Sequence, residues 1–151
     1  MFELPSPLHP MVVHFPIALF ITALGLEVAS IVFPAIGGST SGGKKESYHK
    51  SALQLYVIAA LITPLVVRTG LWEEERLNLN HPILNWHRTF ALWTMWTSLL
   101  SLPVLWFIKR ECQRYFRIIF VIFLLGAVSF VSLAGYNGGR MVYEYGTGIE
   151  E

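Results

Sequence analysis

The chain has 151 residues, enough for one domain, of which 54% are hydrophobic and only 14% charged, with a formal net charge of +1. Soluble domains average roughly 25% charged residues, so this composition points to a membrane protein. It also excludes a disordered chain, a nucleic-acid binder (no basic stripe) and, with one Cys, a disulfide scaffold.

Four apolar stretches follow one another, each near the ~20 residues that cross ~30 Å of hydrocarbon. The first, about 11–33, opens as His9-Pro10-Met11-Val12-Val13-His14 and carries Glu27 deep within it. No Lys or Arg precedes it, so it lacks the positive region of a signal peptide and is expected to stay in the mature protein. Residues 35–50, rich in Gly, Ser and Lys, read as a flexible loop. The second span, about 53–71, contains Pro64 and has Arg68 near its end; an acidic loop, Glu73 to Asn80, follows. The third span, about 83–108, opens as His81-Pro82-Ile83-Leu84-Asn85-Trp86-His87-Arg88 and contains Pro103. Trp93 and Trp96 in it read as packing residues rather than electron relays. A basic loop, Lys109 to Arg117, carries Cys112, and no C-x-x-C-H motif exists for covalent haem attachment. The fourth span, about 118–136, leads into a tail from Gly135 to Gly146 rich in Gly and Tyr. Such a tail can turn tightly and fold over the mouth of a bundle.

Backbone groups in lipid must bond within their own segment, so these spans are helices. Short connections make them an all-α integral membrane four-helix bundle, up-down-up-down, in a single domain. The loops after spans one and three hold Lys44, Lys45, Lys50, Lys109, Arg110, Arg114 and Arg117. The other side holds Glu3, Glu73, Glu74, Glu75, Glu144, Glu150 and Glu151, against Arg76 and Arg140. The positive-inside rule then puts both termini outside, in the periplasm, for a multi-pass protein of the bacterial inner membrane. Trp72 and Trp86 fall at the outer interface, Trp106 and Tyr115 near the inner one.

Four of the five histidines, His9, His14, His81 and His87, then lie at the outer ends of spans one and three; His49 alone is inner. Both spans open with His-Pro and place a second His five or six residues on, which suggests two parallel halves. Spans one and three are diagonal in an up-down-up-down bundle, so His14 and His87 face each other at similar depth. Two facing imidazoles are the axial set of a low-spin haem iron. His14 and His87 are therefore the expected ligands, with His9 and His81 as weaker candidates. Arg68, Arg88 and Arg140 fall in the same layer, where a guanidinium can hold a haem propionate; each alone can equally snorkel to headgroups. Glu27 and His49 read first as a structural pair, with a proton relay as the sharper alternative.

Several motifs together resemble a bacterial membrane family known as domain of unknown function 2231. They are Leu8-His9-Pro10-Met11-Val12-Val13-His14-Phe15-Pro16-Ile17-Ala18-Leu19, Glu27, His87-Arg88, and Gly138-Gly139-Arg140-Met141-Val142-Tyr143 with Gly146 and Gly148. The Glu73-Glu74-Glu75 run departs from the Asp-Trp expected there. The resemblance implies a small four-helix, haem-binding protein found beside redox components, with His14 and His87 as ligand candidates.

The leading expectation is thus a b-type cytochrome-like electron-transfer subunit with one haem b near the periplasmic face. It is not expected to be an enzyme by itself, since little of the chain lies outside the spans. It would sit with other subunits of a redox complex, exchanging electrons with a periplasmic cytochrome or the quinone pool. The alternatives are a non-redox anchor or assembly subunit, and a copper or zinc site built from His9, His14, His81 and His87.

Overall fold

A computed structural model describes residues 8–36, 42–77, 81–111 and 113–146. They form five helices: α1 (Leu8–Val12), α2 (His14–Ile36), α3 (Gly42–Leu77), α4 (Pro82–Glu111) and α5 (Gln113–Tyr143). Four stretches are long and apolar enough to cross a membrane: Leu8–Phe33, Gly43–Glu75, Pro82–Lys109 and Tyr115–Tyr143. α2 pairs extensively with α3, and α4 with α5. Smaller α2–α5 and α3–α4 contacts close the bundle and leave α2 diagonal to α4, as the up-down-up-down reading expects.

The packing follows from residue size. Ala23, Ala52, Ala59, Ala60 and Ala127 line the interior and let the helices approach closely around Phe20, Tyr56, Phe120 and Leu124. Large apolar side chains such as Ile21, Leu61, Leu65, Leu100, Phe107 and Ile122 point outward. That inside-out distribution is stable only where the surroundings are themselves apolar. Trp93 and Trp96, expected to be packing residues, are also more than half exposed; Trp93 lies against Phe130.

The helices run longer than hydropathy alone indicates. α3 begins at Gly42, within the stretch expected to be a flexible loop, and its first turns are tied down by a Glu46–Lys50 ion pair and by Tyr48 against Phe33. α3 also continues through the acidic run to Leu77. The basic stretch is helical on both sides of Cys112, which lies outside the described residues. The tail expected to turn after residue 136 instead extends α5 to Tyr143, and the chain turns only at Glu144 and Tyr145. Pro64 and Pro103 lie inside α3 and α4 without ending them.

The first span, by contrast, is broken. Val13 is a turn between α1 and α2. The cause is Pro16, which has no N–H to give the Val12 carbonyl and whose ring crowds it. α1 is thereby free to pack on α3 at its own angle.

Candidate functional site

The break at Val13 decides which histidine enters the bundle. His9, on α1, turns toward α3. Its backbone N–H donates to Glu73 Oε2 at 3.2 Å, satisfying one of the amides that a helix's first turn leaves open. Its ring Nδ1–H faces the Val66 carbonyl at 3.1 Å and the Thr69 hydroxyl at 3.3 Å. Across the bundle, His87 on α4 donates from Nδ1 to the Ala134 carbonyl of α5 at 2.7 Å. The two rings meet edge-on, centroids 5.9 Å apart and planes at 84°.

Each Nδ1 faces a carbonyl, which can only accept. The proton of the neutral ring is therefore on Nδ1, and the lone pair is on Nε2. Among the described residues no hydrogen bond occupies either Nε2. An imidazole held by a backbone carbonyl through one nitrogen, with the other free, is oriented as metal-ligating histidines are.

Two glycines make room for these rings. A Cβ on Gly70 would lie 2.9 Å from His9 Cε1, and one on Gly138 would lie 3.2 Å from His87 Cε1. Gly138 sits inside α5, where glycine costs about 1 kcal/mol relative to Ala. The closeness of His87 explains why the position is nonetheless glycine.

The pair borders a cavity of about 570 Å³ at the histidine end of the bundle. Its walls are largely apolar, with Ile17, Val67, Leu84 and Val142 among them, and its polar rim includes His14, Glu74 and Arg88. The end of α5 contributes Met141 to Tyr143, so the expected tail does border the mouth, as helix rather than as a folded loop. A smaller void of about 40 Å³ touches the same two imidazoles and is lined by Thr63 and Thr94.

The other residues expected at a site are placed unequally. His14 lines the cavity but is exposed, and its ring is not paired with that of His87. His81 stands outside the cavity, stacks on Tyr145 with centroids 4.2 Å apart, and accepts from the Ile83 amide. Arg88 is on the cavity rim, 3.4 Å from Glu74. Arg140 is tied to Glu144 through two nitrogens and is not on the cavity wall; Arg68 is exposed and also off it. The bond to Arg140 holds the Glu144 carboxyl below its ordinary value. That stabilisation is present above the ordinary carboxylate range and lost as pH falls through the lowered value; both groups are exposed, so it is small. Among the described residues no three His, Cys, Asp or Glu converge as a metal-holding group.

At the opposite end, Glu27 on α2 is 1% exposed and held from two other helices. His49 Nδ1–H on α3 donates to Oε2 at 2.7 Å, and Arg117 Nε–H on α5 donates to Oε1 at 2.6 Å. Arg117 also donates to the Ser30 hydroxyl. The Glu27–His49 pairing expected from the sequence is present. Arg117, which sequence reasoning assigned to a basic loop, is the partner it missed; the only signal was that Arg117 falls on the same side of the membrane as His49.

Four antiparallel spans, with a half-buried imidazole pair beside a cavity at one end, define a small integral membrane bundle. Residues 5–151 match the family described as predicted membrane protein DUF2231, and the chain belongs to that family. No curated protein and no solved structure matches it.

Proposed function

We propose that this protein is a membrane electron-transfer subunit that would hold one haem b in the 570 Å³ cavity, with His87 and His9 as the residues that would hold its iron. The observation that carries the reading is the His9–His87 pair, each ring anchored through Nδ1 to a backbone carbonyl. The cavity volume falls within the ~300–1,000 Å³ of ligand pockets. Two protein ligands suffice for a macrocycle that brings its own four nitrogens. A bare copper or zinc ion wants three or four, which do not converge among the described residues.

Haem, when bound, supplies one-electron chemistry. The chain's own residues would orient it. Val66, Thr69 and Ala134 fix the two imidazoles; Gly70 and Gly138 let them sit close to the helices. Arg88 is the cavity's guanidinium for a propionate, because the 3.4 Å contact of its exposed side chain with Glu74 is weak enough to exchange. We place the histidine end on the periplasmic side of a bacterial inner membrane, on the strength of the basic residues at the Glu27 end. Electrons would then pass to or from other subunits of a redox complex, a periplasmic cytochrome or the quinone pool.

The visible spectrum of the purified protein tests the reading. Reduction with dithionite should give a sharp Soret band with resolved α and β bands. His9→Ala and His87→Ala should each remove the low-spin signature, and His14→Ala should keep it. A colourless protein after loading with haem sinks the proposal; loss with His14→Ala but not His9→Ala moves the ligand to His14. A C-terminal alkaline phosphatase fusion should be active, and an inactive one reverses the orientation.

A further inference from the structure

One residue of the cavity wall is not accounted for by the protein's own packing. Gly135, Gly138 and Gly139 of α5 all border the 570 Å³ cavity. Each sits inside the helix, where glycine is less favourable than alanine because its backbone loses more freedom. A Cβ on Gly138 would press on the His87 ring at 3.2 Å, and one on Gly135 would stand in ordinary contact with Ile17 Cδ1 at 3.7 Å. Gly139 differs from both: a Cβ there would meet nothing within 4 Å.

The common reasons for a glycine in a helix do not apply to it. Gly139 needs no left-handed backbone; among the described residues the glycine with positive φ is Gly146. It does not end the helix, since α5 runs on to Tyr143. It does not let another helix come close, since no atom of one lies within 4 Å of where its side chain would start. Nor does it simply face outward. Gly25 on α2 is equally open, but it is exposed and lies off the cavity, whereas Gly139 is half-buried and on the cavity wall. The space left by the missing side chain is therefore part of the cavity. Glycine is the residue that lets a ligand come up against the backbone.

We infer that Gly139 touches the occupant of the cavity and selects a rigid ring over a flexible chain. The identity of that ring rests on the haem reading; the place of contact rests on the cavity. A ring held at its centre by His9 and His87 could not slide away from a side chain at position 139, because the Val66 and Ala134 carbonyls fix those imidazoles. A flexible occupant, such as an acyl or isoprenoid tail, would bend round a methyl, and glycine would bring it no advantage.

Titration of the purified protein with haem b, followed at the Soret band, tests this beside thermal unfolding of the haem-free protein. Haem-free Gly139→Ala should be at least as stable as the wild type, since the methyl meets open space and helix propensity improves. Its haem affinity should fall about tenfold, the size of a mild overpacking cost. Gly139→Leu, which fills more of the space, should lose at least about a hundredfold. Gly25→Ala makes the same change off the cavity and should bind haem as the wild type does. Wild-type affinity in both Gly139 variants overturns the inference and leaves the haem reading standing. An equal loss in Gly25→Ala also overturns it, because the effect is then one of helix stiffness. A haem-free Gly139→Ala protein less stable than the wild type overturns it too, because the fold itself then needs the glycine. A wild type that takes up no haem overturns the haem reading, and this inference with it.

Discussion

At the scale of single residues, the site is built by what glycine omits. A methyl on Gly70 must push against the His9 ring at 2.9 Å, and that ring is held by Val66 and Thr69. Gly70→Ala gains about 1 kcal/mol of helix propensity but loses about 1–3 kcal/mol to overpacking. Gly138→Ala meets His87 at the milder 3.2 Å. Thermal unfolding in detergent should therefore show Gly70→Ala less stable than the wild type and Gly138→Ala close to it. A Gly70→Ala protein as stable as Gly138→Ala would mean that His9 does not press on α3. The chemistry of these residues was legible in the sequence: five histidines, four of them at one end, and a buried carboxylate with His49. Which histidine faces inward was not. His9 and His14 are five residues apart, about 140° around a continuous helix, and periodicity alone favours the deeper one. The pair that forms, His9 with His87, joins the first histidine of one apparent half to the second of the other, so the His-Pro repeat does not carry over to the rings.

At the scale of elements, the deciding feature is the five-residue α1. Hydropathy sees a single span from about residue 11, because apolar residues continue through Val13. Pro16 was visible in the sequence, but its effect depends on whether the turn before it finds another place to pack, and α3 supplies that place through Glu73, Val66 and Thr69. The acidic run that looked like a loop is thus the dock for α1. Pro16→Ala should restore the helix through Val13 and carry His9 off Gly70. The checkable consequence is non-additivity. Gly70→Ala, destabilising in the native background, should cost close to nothing in the Pro16→Ala background. An unchanged cost in both backgrounds shows that Pro16 does not set the place of His9. The span ends were misjudged for a related reason: composition near residues 42–50 and 138–143 is poor for helices, while packing of Tyr48 on Phe33 and of Gly138 on His87 holds them helical.

At the scale of the whole molecule, the bundle is two hairpins, α1–α2–α3 and α4–α5, each more extensively packed within than between. The spans and their antiparallel order were legible because a membrane constrains length and hydropathy so strongly. The joint between hairpins was not, since it combines a shared apolar core with polar contacts far apart in sequence. Glu27 in the first hairpin meets Arg117 in the second, 90 residues apart. Fragments 1–79 and 80–151, co-expressed, should therefore co-purify as a stable pair. Arg117→Ala should weaken that pair strongly, by about 2–3 kcal/mol, because it leaves Glu27 buried with one partner fewer; the 28% exposure of Arg117 keeps the cost below the ~3–5 kcal/mol of a fully buried pair. Co-purification untouched by Arg117→Ala would assign the joint to apolar packing alone.

The two imidazoles belong to different hairpins: the first supplies His9 with Val66 and Gly70, the second His87 with Ala134 and Gly138. Neither hairpin alone contains a site. The cavity comes into being only when the second hairpin docks on the first, which makes occupancy a report on completed assembly. Anything that binds there and not to the separated hairpins adds its binding free energy to their association, by RT ln(1 + [L]/Kd). A ligand held there would in that sense also be a structural fastener. With the cavity empty, the hairpins are joined by the apolar core they share and by the charge cluster at the far end.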